Sequence, residues 1–221
     1  MLERVLPAGV AVAATSDDLL DASLYPEEEA AVDRAVEKRR REFVTARACA
    51  RKALARLGLP EQAIPVGAKG EPLWPAGVVG SITHCSGYRA CALGHAADLL
   101  TIGVDAEVDE PLPGGILPDV ALPGERRSVH GLALIEPEIN WDRLLFGIKE
   151  SLYKAWFPLT GRWLGFEDAS VEIDRRHHTF FARLLVPGPR VGERELTGFS
   201  GRWLAANGLL LAAIAVPAGG P

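Results

Sequence analysis

From Leu99 to Val104 the chain is almost wholly apolar, and Asp105 and Glu107 stand directly after it. A short run rich in Leu, Ile and Val reads as a strand buried in a sheet. Successive side chains of a strand point to opposite faces, so two carboxylates two residues apart project to the same side. Like charges that close repel unless a cation lies between them, and hard oxygen ligands of this kind suit Mg²⁺ or Mn²⁺. The pair alone equally describes two solvated acids where a strand leaves its sheet. What adds weight is a further acid flanked by lysines, in Lys149-Glu150-Ser151-Leu152-Tyr153-Lys154.

A chain of 221 residues can bury a sizeable core as one large domain or two small ones. With 48% hydrophobic and 24% charged residues, wholesale disorder is excluded. The net charge of -5 argues against a surface that coats nucleic acid, so any anion is held at a local basic site. Cys49, Cys85 and Cys91 are odd in number and contain no C-x-x-C pair, which fits a reducing compartment. The N-terminal apolar patch Val10 to Ala14 is followed by Asp17-Asp18, and Glu3 cancels Arg4, which is unlike a signal peptide. The longest apolar run, Leu204 to Val216, is interrupted by Asn207-Gly208 and too short to span a bilayer. A cytoplasmic monomer without nucleic-acid or membrane partners is expected.

Residues 8 to 14 alternate weakly and suggest a first strand. Pro26 followed by three glutamates opens a helix, which the spacing carries to Leu57, before Gly58 and Pro60. Val32, Val36, Phe43, Ala50, Leu54 and Leu57 form its apolar stripe. Arg39 falls inside that stripe and Arg47 on its edge; Arg34, Arg41 and Arg56 belong to a solvated face. An arginine turned toward the packed side needs an anionic partner, either an internal carboxylate or a bound phosphate, and Arg40 and Arg51 are open as helpers. Lys69-Gly70-Glu71-Pro72 lies in a Pro/Gly-rich loop. Val78 to Cys85 and Ala90 to Leu93 read as a hairpin turning at Ser86-Gly87, with Ser81 and Thr83 on one face and His84 at the strand end.

Between Val108 and Ile139 prolines and glycines break every periodicity, marking a long connection that is functional or mobile. Helical spacing resumes at Trp141 with Leu144, Leu145, Ile148, Leu152 and Ala155, and Pro158 ends it. Glu150 lies opposite this stripe, which allows a surface pair with Lys154 worth only about 0.3–0.5 kcal/mol. Against that, Phe146, Tyr153 and Phe157 make a second apolar patch beside Glu150. The remainder is β-rich, in segments 169–173, 179–186, 198–204 and 209–216, the last two joined at Asn207-Gly208. No Walker loop, G-x-G-x-x-G, H-E-x-x-H or G-x-S-x-G occurs, and no internal repeat is evident.

Taken together, Arg39-Arg40-Arg41-Glu42-Phe43 with Arg47, Lys69-Gly70-Glu71-Pro72, Gly80-Ser81-Ile82-Thr83-His84-Cys85, Gly103-Val104-Asp105-Ala106-Glu107, Lys149 to Ala155 and Arg162 to Asp168 resemble the 4′-phosphopantetheinyl transferases. The likeness is to the broad-specificity surfactin and enterobactin type, and most of all to its actinobacterial members. It implies an α+β fold of two similar α/β subdomains related by a pseudo-twofold axis, taken here as residues 1–100 and 101–221, with coenzyme A in the cleft between them. It implies Mg²⁺, with Mn²⁺ as an alternative, held by Asp105, Glu107 and Glu150, with Ala106 contributing at most its carbonyl. Arg39, Arg47, Lys69, Thr83, His84 and Lys154 would hold the nucleotide and phosphates, with Gly70, Glu71, Asp105, Lys149, Glu150 and Leu164 completing the coenzyme A site. Val66 stands where close relatives can carry a lysine, leaving one phosphate contact missing or replaced by Arg40.

The implied reaction moves 4′-phosphopantetheine from coenzyme A to a serine of an acyl or peptidyl carrier protein and releases 3′,5′-ADP. Glu150, Lys154 and Asp105 are the catalytic candidates, with Glu150 taking the serine proton directly or through a metal-bound water. The segment from Val108 to Ile139, with Leu112, Ile116, Leu117, Leu122, Arg126 and Arg127, is the expected carrier-protein loop. Two other readings compete: another Mg²⁺-dependent phosphoryl transferase or phosphohydrolase, and a non-catalytic coenzyme A or nucleotide binder.

Overall fold

Strand β1 (Ala11–Thr15) is followed by a one-turn helix α1 (Pro26–Glu29), a long helix α2 (Glu37–Arg56) and the hairpin β2 (Val78–Cys85) and β3 (Tyr88–His95). The three strands pair antiparallel in the order β1-β3-β2. Helix α2 covers one face of this sheet. It seals Cys49, Ala50, Ala53 and Leu54 against Ala13, Val78, Cys91 and Leu93, and the small side chains on the helix let it lie close. The computed structural model describes residues 1–219, so the last two residues of the 101–221 half lie outside it.

The helix expected from Pro26 to Leu57 is in fact two. Its first turn ends at Glu29, and α2 restarts only after Val36, whose backbone is extended and whose side chain is 73% exposed. No proline or glycine lies between them. Instead the Glu28 side chain is drawn completely inside, which anchors α1 out of line with α2.

The second unit runs β4 (Leu99–Val108), two short helices α3 (Leu117–Val120) and α4 (Pro123–Ile135), the long helix α5 (Trp141–Thr160), β5 (Ala169–Asp174) and β6 (Thr179–Leu184). A small ribbon of β7 (Arg190–Val191) and β8 (Arg194–Glu195) leads into β9 (Gly198–Ala206) and β10 (Leu209–Pro217). The main sheet has the order β4-β10-β9-β6-β5 and is antiparallel throughout. Helix α5 packs on one face, where Leu144, Leu145, Ile148, Leu152 and Trp156 meet Phe180, Phe199, Trp203, Leu210 and Ile214. On the other face Ile102, Val104, Ala106, Leu211 and Ala213 meet Leu2, Val5, Leu6, Val12, Tyr88 and Ala90. Burial on both faces is why β4 reads as a nearly continuous apolar run.

Within each unit a strand is followed by a long helix and then by a hairpin whose second strand pairs with the first: β1-β3-β2 in one and β4-β10-β9 in the other. The architecture is therefore α+β with two like subdomains. Their junction is a seam of hydroxyls. Ser81 Oγ accepts from the Val104 amide at 3.1 Å and Thr83 Oγ1 from the Ala106 amide at 2.9 Å, so the free edge of β4 is capped by side chains of β2.

Two further expectations are corrected. The stretch from Val108 to Ile139 is largely helical, with Leu112 buried and Leu117 and Leu132 packed on the second core; of the leucines and isoleucine expected on a docking loop, only Ile116 is exposed. Helix α5 continues past Pro158, which sits in its final turn, and stops at Gly161 with φ of 62°. Among the described residues no helix is long and apolar enough to cross a membrane.

Candidate active site

A cleft of about 710 Å³ opens where α2, the loop at Lys69, β2 and α5 converge. Arg47 reaches it from a buried position. Its Nε donates to the Ile64 carbonyl at 2.8 Å and its guanidinium lies 4.2 Å from the centre of the Phe43 ring. Burial pulls its pKa down to about 10, so the group remains a cation at neutral pH without an assigned carboxylate partner. Arg39, which the helical wheel places inside the stripe, is instead exposed in the first turn of α2, and its Nη1 donates to His84 Nε2 at 2.7 Å. Burial first, and then Arg39, lower the pKa of His84, which keeps the imidazole neutral and able to accept that bond.

Lys69, Gly70 and Glu71 form the rim. Gly67 N donates to Glu71 O at 2.7 Å and Lys69 N to Glu71 Oε2 at 2.8 Å, so the turn is closed by its own acid. Val66 pairs with Pro72 across this turn, and Arg40 is engaged with Glu29 at 2.7 Å, away from the cleft lining.

The opposite wall is acidic. Gly103 lets β4 touch α5, since a side chain there would run into the Ser151 carbonyl. Gly147 does the same one turn earlier, where a Cβ would stand 3.2 Å from Asp105 Oδ2. These contacts bring Asp105 beneath the helix. Its Oδ1 accepts from Lys154 Nζ at 2.7 Å and from Thr83 Oγ1 at 3.3 Å, while Oδ2 is buried without a hydrogen-bond partner. Lys154 thus bridges to β4, also reaching the Val104 carbonyl at 3.1 Å, rather than pairing with Glu150 four residues before it. Thr83, not His84, is the hairpin residue that meets Asp105.

Glu107 projects to the same side, as the strand period requires, and its Oε2 accepts from Arg143 Nη1 at 3.1 Å. Arg143 was not singled out from the sequence. Its other nitrogens bind the Glu110 and Pro111 carbonyls, which fixes it across the end of β4. Burial and then the Asp105 charge raise the pKa of both Glu107 and Glu150. Burial first, and then Glu107 and Asp105, push the Cys85 thiol to about 12, so it stays protonated at neutral pH. Ala106 is buried on the face of the sheet away from α5 and offers no side chain to the cleft.

A divalent cation fits this donor set chemically: three carboxylates, of which Glu107 and Glu150 are raised by burial and then by the Asp105 charge, and one buried oxygen of Asp105 without a partner. Among the described residues no three His, Cys, Asp or Glu side chains already stand close enough to form a finished cage. Asp105 and Glu107 are turned to Lys154 and Arg143 instead.

Glu150 lines the cleft on one side and a second, mostly apolar cavity of about 220 Å³ on the other. That cavity is bounded by Tyr153, Trp163, Leu164 and Phe166, which places Leu164 away from the cationic cleft. Lys149 behaves differently from a surface cation. Its ammonium is buried between Glu125 at 2.8 Å and the carbonyls of Phe166 and Ala169 at 2.6 and 3.1 Å, so it is spent on holding the wall of that cavity.

Residues 27–94 match the 4′-phosphopantetheinyl transferase N-terminal domain and residues 101–199 the 4′-phosphopantetheinyl transferase superfamily. The chain belongs to this family. It is 56% identical over 195 residues to the 4′-phosphopantetheinyl transferase Svp of Streptomyces mobaraensis, covering 88% of this chain and 79% of that one. It is 48% identical to the 4′-phosphopantetheinyl transferase Npt of Nocardia iowensis, with 97% of this chain and 99% of that one covered. To PptT of Mycobacterium tuberculosis it is 45% identical with the same coverage. A shorter match, 32% over 122 residues, joins it to enterobactin synthase component D of Salmonella typhi. The protein is thus an enzyme, a 4′-phosphopantetheinyl transferase of the actinobacterial kind.

Proposed function

We propose that the enzyme transfers 4′-phosphopantetheine from coenzyme A to a serine of acyl and peptidyl carrier proteins, releasing 3′,5′-ADP, with Mg²⁺ held by Asp105, Glu107 and Glu150. The observation that carries this reading is the position of Glu150, at the partition between a cation-lined cleft and an apolar cavity. Coenzyme A has the same division, a highly anionic nucleotide at one end and a pantetheine arm at the other, with the scissile diphosphate between them. Arg39, Arg47, Lys69 and His84 suit the phosphates; Tyr153, Leu164 and Phe166 suit the arm.

The transfer itself forms a bond from the serine oxygen to the β-phosphorus and breaks the diphosphate bridge, so negative charge grows on the departing 3′,5′-ADP. Lys154 stands on Asp105 beside the cleft and neutralises that charge, the principal task in phosphoryl transfer. Glu150 accepts the serine proton, a role favoured by a carboxylate whose pKa lies above the ordinary value. A bound Mg²⁺ would polarise the diphosphate oxygens. Thr83 and Arg143 keep Asp105 and Glu107 turned toward α5.

The deciding measurement is release of 3′,5′-ADP from coenzyme A with an apo carrier protein present and absent. Release that requires the carrier protein and Mg²⁺ supports the reading. Release without carrier protein would mean a phosphohydrolase.

A further inference from the structure

Behind the cationic wall lies a wholly buried carboxylate that the cleft does not use. Glu28 Oε2 accepts from the Tyr25 amide at 3.0 Å and Oε1 from the Ile64 amide at 2.8 Å, while Arg51 Nη1 donates to both oxygens at 3.1 and 3.2 Å. Arg51 Nη2 also donates to the Ser23 carbonyl at 2.6 Å. Three separated segments therefore meet on one acid. The third is the informative one. Ile64 gives its amide to Glu28 and its carbonyl to Arg47 Nε, so a single residue links the buried acid to a guanidinium that lines the cleft. Two residues later the Val66–Pro72 bridge closes the turn that carries Lys69.

The second unit contains the same construction. Leu122-Pro123-Gly124-Glu125 repeats Tyr25-Pro26-Glu27-Glu28 in form: Glu125 Oε2 accepts from the Leu122 amide and Oε1 from the Val171 amide, both at 2.7 Å, and the acid pairs with Lys149 on the long helix. An acid at the third position of a short helix, a cation on the long helix and an amide from a later segment coincide in both. A buried ion pair is a poor means to stability alone, because desolvation offsets most of its Coulomb gain. Its distinctive effect is to fix the register of the segments that meet on it.

We infer that Glu28 and Arg51 are positioning residues of the transfer reaction. Through Ile64 they set the spacing of Arg47 and the Lys69 turn at which the phosphates of coenzyme A are received. The inference rests on the proposed use of the cleft for coenzyme A. Neither residue touches substrate.

The test is Glu28→Asp, which keeps the charge beside Arg51 and shortens the reach to Ile64 by one methylene. A KM for coenzyme A raised about tenfold is expected, with kcat within about twofold and the carrier-protein KM unchanged. A pair that served stability alone would lower the melting temperature and leave the coenzyme A KM of the folded enzyme at the wild-type value, and that outcome overturns the inference. Should Glu28→Asp not fold, Arg51→Lys keeps a cation and gives up the Ser23 contact; the same split at about threefold is expected, and an unchanged KM overturns it equally. Wild-type enzyme supplies a check free of variants, since coenzyme A should slow hydrogen exchange at the Ile64 amide. Bound coenzyme A without that protection would count against the coupling. Wild-type enzyme that bound no coenzyme A would instead remove the proposed function, and this inference with it.

Discussion

Helices α2 and α5 occupy equivalent places in the two units, α2 packed on β1 and β3 and α5 on β4 and β10, yet the side chains they direct into the shared cleft differ in sign. From α2 and the segments around it come Arg39, Arg47, Lys69 and His84; from α5 comes Glu150, with Asp105 and Glu107 of β4 beneath that helix and Lys154 pairing across to Asp105. A site for a bare anion needs only the first wall. Two walls of opposite charge suit a diphosphate that arrives with a metal cation, each wall facing the partner it attracts. Under the proposed function one scaffold used twice divides the work, with the first unit holding the substrate and the second acting on it.

That division can be broken by experiment. Asp105→Ala should lower the rate of 3′,5′-ADP release by about a thousandfold at saturating coenzyme A while the circular dichroism spectrum stays that of wild type. A change confined to KM would show that the acidic wall also merely binds. Glu125→Ala leaves the buried Lys149 without its carboxylate and should cost about 3–5 kcal/mol in urea unfolding; a loss below about 1 kcal/mol would mean that the carbonyls of Phe166 and Ala169 suffice for that ammonium. Arg47→Ala should raise the KM for coenzyme A by about tenfold with little change in kcat. If its partner is the 3′-phosphate, dephospho-coenzyme A will be bound equally by variant and wild type. The smallest effect distinguishes the walls by titration. In metal-free protein Glu107 and Glu150 should titrate above the usual 4.5 and His84 below the usual 6.5 in NMR spectra. Mg²⁺ should shift the two acids downward, because a nearby cation favours the charged carboxylate. Unmoved acids would dissociate the metal from this wall.

Most strands and the acids of β4 are legible in the sequence because strand alternation and apolar runs are local signals. The features that escaped are non-local. The break between α1 and α2 has no breaker residue; it exists because Arg51 and the Ile64 amide capture Glu28 from a distance. In the stretch after Val108, Pro118 and Pro123 read as breakers in the sequence, but in the first turn of a helix proline forfeits no hydrogen bond, and both sit there. The spacing allows Lys154 to pair four residues back with Glu150, but it pairs across to Asp105, a buried carboxylate on another element. The internal repeat is invisible residue by residue because only the pattern acid, cation and amide is kept, while Arg51 becomes Lys149 and Ile64 becomes Val171. Arg143 has no local signal at all, since its partner Glu107 lies on another element.

The pairing of β4 also orders events during synthesis. The first sheet is complete once β3 has been made, whereas β4 must wait for β10, with Val108 opposite Leu209 and Glu107 opposite Leu210. The strand that bears Asp105 and Glu107 is thus translated roughly a hundred residues before the neighbour that completes its sheet. A nascent chain therefore carries a finished cationic half while its acidic half is still an open edge. Transferase activity can arise only after Leu209 to Pro217 has emerged from the ribosome, and shortening the protein by that one strand would silence a site whose named side chains all lie at or before Phe166.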